Sequence, residues 1–80
     1  MTELDPPNPA ATLQRLRDLF AVAKERGMNI EDRASELAKL CGVNQATIFR
    51  WRSGATSLAP VACMQVDAAI SEVKKKYDID

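Results

Sequence analysis

Apolar side chains recur at spacings of three and four along this chain, which is the period of amphipathic helices. The first such stripe predicts a helix from about Pro9 to Arg26. Asn8 can cap its start, and Gly27 suits a left-handed end. A second stripe predicts a last helix that starts at Pro60. The first stripe consists of Leu13, Leu16, Phe20 and Ala23, and the last of Cys63, Val66, Ile70, Val73 and Tyr77.

A short helix is predicted between these stripes, over roughly Asp32 to Leu40. Residues 28–30 form the connector before it, where Asn29 or Asp32 can act as the cap. Its predicted buried residues are Leu37, Ala38 and Leu40.

A third helix is predicted from Gln45 to about Arg52, with Asn44 as its N-cap. Since each residue turns a helix by about 100°, Ile48 and Trp51 fall on one side of it. The polar and small residues 54–57 then end the helix.

These segments predict an all-α bundle of four helices, or five if residues 28–36 add a turn. No segment shows the period-two alternation of a strand. The acidic, proline-rich residues 1–8 are predicted to be a flexible arm, and residues 9–80 a single domain.

Several classes of protein are disfavoured by the composition. The longest uncharged run, residues 53–66, contains glycine, proline and polar residues, so no membrane span is predicted. There is no histidine, no CxxC pair and no glycine-rich phosphate loop, so we expect neither an enzyme nor a bound metal or cofactor. Cys41 and Cys63 lie in apolar contexts, which indicates reduced structural thiols in a cytoplasmic protein.

Charge is unevenly distributed along this chain of zero formal net charge. All eleven acidic residues lie outside the window from Leu37 to Val66, whereas Lys39, Arg50 and Arg52 lie inside it. A neutral chain with this distribution can present a positive face to phosphate.

The segment from Ala34 to Ser53 carries the strongest functional signal. An apolar helix ends at Leu40, a glycine follows at position 42, and a second helix opens almost at once. Two helices joined by a turn of three or four residues with a glycine are typical of the unit that places its second helix in the DNA major groove.

This segment resembles the helix-turn-helix of the lambda repressor and Cro superfamily, which includes the XRE-type regulators. The matching positions are Leu37 and Ala38, the corner at residues 41–43, Asn44 and Gln45, the inward-facing Ile48 and Trp51, and the tail at residues 50–54. The resemblance covers about residues 33–70. It implies a compact four- to five-helix domain that acts as a small phage, prophage or plasmid regulator.

The resemblance also implies a homodimer that represses transcription from a palindromic operator on double-stranded DNA. We expect no small-molecule ligand. The chain departs from the family pattern at the entry to the second helix, where Arg33 and Ala34 stand in place of the usual cap and glutamine. The loop from Thr56 to Pro60 also differs in spacing.

The candidate base-reading residues are Gln45, Ala46, Phe49 and Arg50. Arg50 can donate two hydrogen bonds to guanine, Gln45 can address adenine, and Ala46 is small enough to let the backbone approach. Phe49 either contacts a thymine methyl or packs against the core edge or a partner. Trp51 is interpreted as a core residue.

A second set is predicted to contact the phosphate backbone and set the register of the protein on DNA. Its members are Arg33, Asn44, Thr47, Arg52, Ser53 and Thr56.

The last helix leaves further hypotheses open. Its end, from Val73 to Tyr77, is the predicted dimer seam if the stripe extends beyond the core. Alternatively, residues 67–80 bind another protein, as in an antitoxin. A third hypothesis is a DNA-binding accessory domain of a recombinase or transposase.

Overall fold

The computed structural model describes residues 8–79, which form four α-helices joined by short connections. They are α1 (Pro9–Glu25), α2 (Ile30–Cys41), α3 (Gln45–Ser53) and α4 (Pro60–Lys76). No strand occurs between residues 8 and 79, so the predicted all-α class with four helices is confirmed. The predicted flexible arm, apart from Asn8, lies outside the described residues.

Asparagine side chains cap the first three helices. Asn8 Oδ1 accepts hydrogen bonds from the backbone N–H of Ala10 and Ala11 at 3.1 and 3.2 Å. Asn29 caps α2, so this helix begins at residue 30, two residues earlier than predicted. At α3, Asn44 is the cap, as predicted.

The connection between α2 and α3 consists of three residues. Gly42 has a φ of 71°, in the left-handed region that suits glycine at a helix end. The next N–H, that of Val43, donates to the carbonyl of Ala38 at 3.0 Å. These bonds close the end of α2, and the chain enters α3 without a longer loop.

The core is formed by one face of each helix. α4 packs against α1 and α2, and α3 packs mainly against α2. The predicted stripes of α1 and α4 are buried, with Leu13 and Tyr77 only half-buried. Leu40 was predicted to be buried, but its side chain is 54% exposed, because it lies on the outer side of the last turn of α2.

Both cysteines are free and buried, as predicted. Cys41 Sγ lies 3.7 Å from the carbonyl oxygen of Gln65, which it faces as a weak donor. Burial raises the pKa of the Cys41 thiol above its ordinary value, so the thiol stays protonated and has little nucleophilic character.

The end of α4 packs against the core of the same chain. Val73 is buried, and Ile79, three residues after the end of the helix, is also buried in the core. Arg26 donates from Nη1 to the carbonyl of Tyr77 at 3.1 Å, which ties the chain end to α1. Lys75 and Lys76 stay exposed and Tyr77 is half-buried, so residues 73–77 are covered only in part, and the dimer seam there stays a prediction.

A polar cluster joins α2 to the end of α4. Glu36 Oε2 accepts hydrogen bonds from Lys76 Nζ at 2.8 Å and from the Tyr77 hydroxyl. Its other oxygen lies 2.6 Å from Arg33 Nε, in an ion pair whose geometry is not that of an aligned hydrogen bond. The Arg33 guanidinium also lies 4.1 Å from the centre of the Tyr77 ring.

This environment changes the titration of Glu36. Partial burial would by itself raise its pKa, but hydrogen bonds from Lys76 and Tyr77 and the nearby positive charges outweigh that effect. The pKa of Glu36 is therefore lowered below its ordinary value. A carboxylate with a lowered folded-state pKa stabilises the fold above its unfolded pKa and loses that contribution as pH falls through the folded value.

We predict that Glu36→Gln lowers the free energy of unfolding by about 1 kcal/mol at neutral pH, since one charged acceptor and its ion pairs are lost. The difference from wild type should shrink as pH falls below the ordinary glutamate pKa of about 4.3 and toward the lowered pKa of folded Glu36. Urea titrations across this range measure it. Glu72→Gln, on the exposed side of α4, is the control. A difference that stays constant down to pH 3 would contradict the assignment.

Candidate nucleic-acid interface

α3 is attached to the core by one side only. Ile48 and Trp51 are its two buried residues, and they lie three positions apart, on the same side of the helix. Ala46, Arg50 and Ser53 are exposed on the opposite side, at spacings of four and three. The structure therefore brings together three predicted contact residues on one outward face.

Arg50 is the charged residue of this face. Within residues 8–79, its guanidinium makes no hydrogen bond or ion pair, and its backbone carbonyl accepts a hydrogen bond from the Ser53 hydroxyl at 3.2 Å. The carbonyl also accepts from the backbone N–H of Ala55 at 3.0 Å. The guanidinium donors are left for an external acceptor.

The polar residues at the start of α3 are partly engaged within the chain. Asn44 Oδ1 accepts from both the backbone N–H and the hydroxyl of Thr47, each at 3.1 Å. The Gln45 amide donates from Nε2 to the carbonyl of Glu31 at 2.9 Å. This bond ties the first turn of α3 to the first turn of α2 and leaves the Gln45 side-chain oxygen as an acceptor.

Phe49 lies at the edge of the core and is not fully outward. It is half-buried, and its ring stacks on that of Phe20 with centroids 6.1 Å apart. The Arg52 guanidinium covers both rings, 5.1 Å from the centroid of Phe20 and 5.5 Å from that of Phe49. Of the two hypotheses for Phe49, the structure favours packing at the core edge.

Of the predicted phosphate-contacting residues, Thr56 lies beside the outward face of α3, whereas Arg33 does not. Thr56 is exposed in the loop after α3, and its N–H is 3.4 Å from the carbonyl oxygen of Arg50. Arg33, by contrast, is committed to Glu36 and Tyr77, and its side chain is only 12% exposed. The structure does not bring Arg33 to this face, and we leave it out of the site.

Cations of α1 adjoin the face, which sequence reasoning missed. Arg17 Nε donates to the carbonyl of Arg52 at the end of α3, at 3.1 Å. Lys24 and Arg17 line the same groove as Arg52. Arg17 and Lys24 are seven residues apart and so share one side of α1, but only the tertiary packing shows that this side meets α3.

Two acidic residues lie at the start of α2, whose first turn is bonded to α3 through Gln45. Glu31 and Asp32 occupy its first turn, where carboxylates interact favourably with the helix dipole. α3 itself carries no acid, and its last turn carries Arg50 and Arg52. Positive charge therefore increases from the start of α3 toward its end.

No protein-family model, curated protein or solved structure matches this chain significantly. Among the described residues, no helix is both long and apolar enough to cross a membrane.

We predict that Phe49→Ala and Arg50→Ala, adjacent on α3, have different effects on stability. Phe49→Ala should lower the free energy of unfolding by about 1–2 kcal/mol, less than the 3–5 kcal/mol of a fully buried phenylalanine, because the ring is half-covered. Arg50→Ala should change it by less than about 0.5 kcal/mol, since the side chain is exposed. Thermal and urea denaturation measure both. An equal loss of unfolding free energy in the two variants would contradict the assignment of Phe49 to the core edge and of Arg50 to the exposed face.

Proposed function

We propose that this chain is a sequence-specific DNA-binding transcriptional regulator, acting as a repressor with α3 in the major groove. The observation that supports it best is the one-sided attachment of α3. A helix that buries two residues and leaves an arginine and small side chains on its outer face has the shape and chemistry for entering a groove about 12 Å wide.

The connection between α2 and α3 supports the same proposal. A three-residue link with a left-handed glycine joins a buried helix to an outward one, as expected of a helix-turn-helix. The order of helices also agrees with the resemblance to the lambda repressor and Cro superfamily. We propose the cytoplasm of a bacterium or phage-infected cell as its location.

The roles we assign follow from the exposure of each side chain. Arg50 reads guanine through O6 and N7, and Ala46 allows the close approach that this contact requires. Gln45 is held by the hydrogen bond from its Nε2 to the carbonyl of Glu31. Its amide oxygen can accept a hydrogen bond from the amino group of a base. Ser53 and Thr56 contact phosphates at the end of the helix.

A homodimer is part of the proposal, with Val61 and Met64 as its contact. These residues lie three apart on α4, and 75% and 68% of their surfaces are exposed. They belong to the run of residues 53–66 that carries no charge. Because a two-fold axis brings each residue near its own copy, a charge there would meet a like charge, whereas a neutral apolar face is self-complementary.

We predict that the wild-type protein selects a palindromic site from a pool of random duplexes, and that Arg50→Ala loses this selectivity. Removing a bidentate arginine–guanine contact should weaken binding to the selected duplex by about 1–3 kcal/mol, and unrelated duplexes much less. Electrophoretic mobility shifts measure both affinities. Lys75→Ala, which removes the same charge from an exposed position on α4, is the matched control.

The proposal fails if the wild-type protein selects no duplex at low salt. It also fails if Arg50→Ala binds the selected and unrelated duplexes with wild-type affinities.

We predict that Met64→Glu converts the dimer to a monomer and leaves the fold intact, because an exposed residue gains a charge that meets its own copy across the two-fold axis. Sedimentation velocity measures the association, and circular dichroism the fold. Ala10→Glu, which adds the same charge at an exposed position in the first turn of α1, where a carboxylate suits the helix dipole, should remain dimeric. A wild-type protein that stays monomeric at all concentrations, or a Met64→Glu dimer of unchanged stability, contradicts this contact.

A second candidate function is a protein-interaction module, as in an antitoxin. It is favoured by a groove of about 630 Å³ between α2 and α4, where the exposed Leu40 lies beside Lys39 and Lys75. An apolar residue with a charged rim suits a peptide segment of a partner. This function requires binding to another protein that Leu40→Asp abolishes and that Arg50→Ala leaves unchanged.

A further inference from the structure

A second positive surface adjoins α3 on its core-edge side. Arg17, Lys24 and Arg52 surround an open groove of about 410 Å³. Its apolar walls are provided by Phe20, Ala21 and Ile30. We call this surface the basic groove. It combines three cations with an apolar floor, and it belongs to α1, the first residue of α2 and the end of α3.

Two of the three cations are held in place by the fold. Arg52 lies over the rings of Phe20 and Phe49, which restricts its side chain to this side of α3. Arg17 donates from Nε to the carbonyl of Arg52, so its terminal nitrogens remain beside the groove. A cation that is already ordered loses less conformational entropy when it binds an anion.

Among residues 8–79, no carboxylate lines the basic groove. The acidic residues closest to its members along the chain are Asp18, Glu25 and Glu31, and none of them is among its lining residues. Asp18 instead accepts a hydrogen bond from Gln14 Nε2 at 2.8 Å, on another side of α1. The groove therefore presents three positive charges without a compensating acid in its walls.

The basic groove is continuous with the proposed DNA-reading face. Phe49 and Arg52 border both, since Phe49 sits between Phe20 and the outer side of α3. At its other side, Ile30 precedes Glu31, whose carbonyl holds Gln45. A helix in the major groove is flanked by the two phosphate backbones, so this continuity places the basic groove beside one of them.

We propose that the basic groove binds the phosphodiester backbone of the same duplex whose major groove α3 reads. The three cations contact phosphate oxygens, and Phe20 and Ile30 contact the apolar edge of a deoxyribose. This inference rests on the proposed function. An acidic peptide shares the negative charge, but the continuity with α3 through Phe49 and Arg52 favours DNA.

The salt dependence of binding tests this inference. The probes are the duplex selected by the wild-type protein and an unrelated duplex of equal length. For Lys24→Gln and Arg17→Gln, the fall in affinity between about 50 and 200 mM salt should become about three- to fourfold smaller per cation removed, because one fewer counterion is released. Both duplexes should lose affinity by similar factors, since phosphate contacts carry no sequence information.

Matched controls separate a local contact from a change in net charge. Lys75→Gln, which lines a different groove, between α2 and α4, should keep the wild-type salt dependence. Arg17→Gln also removes the bond to α3, and circular dichroism checks its fold. Lys24→Gln removes no such bond and gives the cleaner comparison.

Three outcomes overturn the inference and leave the proposed function standing. The first is a wild-type salt dependence in both groove variants while Arg50→Ala loses selectivity. The second is an equal effect of Lys75→Gln, which would show a long-range charge effect only. The third is binding of a polyglutamate peptide that the groove variants lose while their DNA binding is unchanged. If the wild-type protein selects no duplex, the proposed function itself fails.

Discussion

The burial of Ile48 and Trp51 is the constraint on which the rest of the proposed site depends. α3 has nine residues, which is too short for a helix to be stable alone in water. These two side chains, with the half-covered ring of Phe49, attach it to the core. Because they occupy one side of the helix, they also determine which side remains outward. The orientation of Arg50 is therefore a consequence of core packing and does not depend on any contact that Arg50 makes.

The polar cluster around Glu36 has the corresponding role between α2 and α4. It joins α2, which supports α3, to the last turn of α4 through Lys76 and Tyr77. Arg33 belongs to this cluster and not to the outward face of α3. This arginine near the start of α2 thus has a structural role, because a carboxylate and an aromatic ring lie within its reach. The same contacts cover Tyr77 in part, whereas Val61 and Met64, in the earlier half of α4, stay exposed.

Most of the fold follows from local signals. The three asparagine caps, the proline starts of α1 and α4, the left-handed glycines and the three–four stripes all have short-range causes, and they predicted helix ends to within about two residues. The outer face of α3 also followed from its period, since Ile48 and Trp51 could be assigned inward from spacing alone. Leu40 was misjudged, because a periodic stripe defines a side of a helix but not how far its neighbours extend to cover it.

The sequence by itself thus determined the all-α class, the positions of the four helices, the three-residue corner and the outward position of Arg50, but left open a fifth turn at residues 28–36. Only the tertiary structure decided which distant groups meet. It placed Phe49 against Phe20, brought Arg17 to the end of α3, and brought the Tyr77 hydroxyl to Glu36. Local propensities arise between residues within a turn or two of one another, whereas these contacts join residues 29, 41 and 35 positions apart. The folded packing of the helices is what sets such distances, and a periodic pattern contains no information about them.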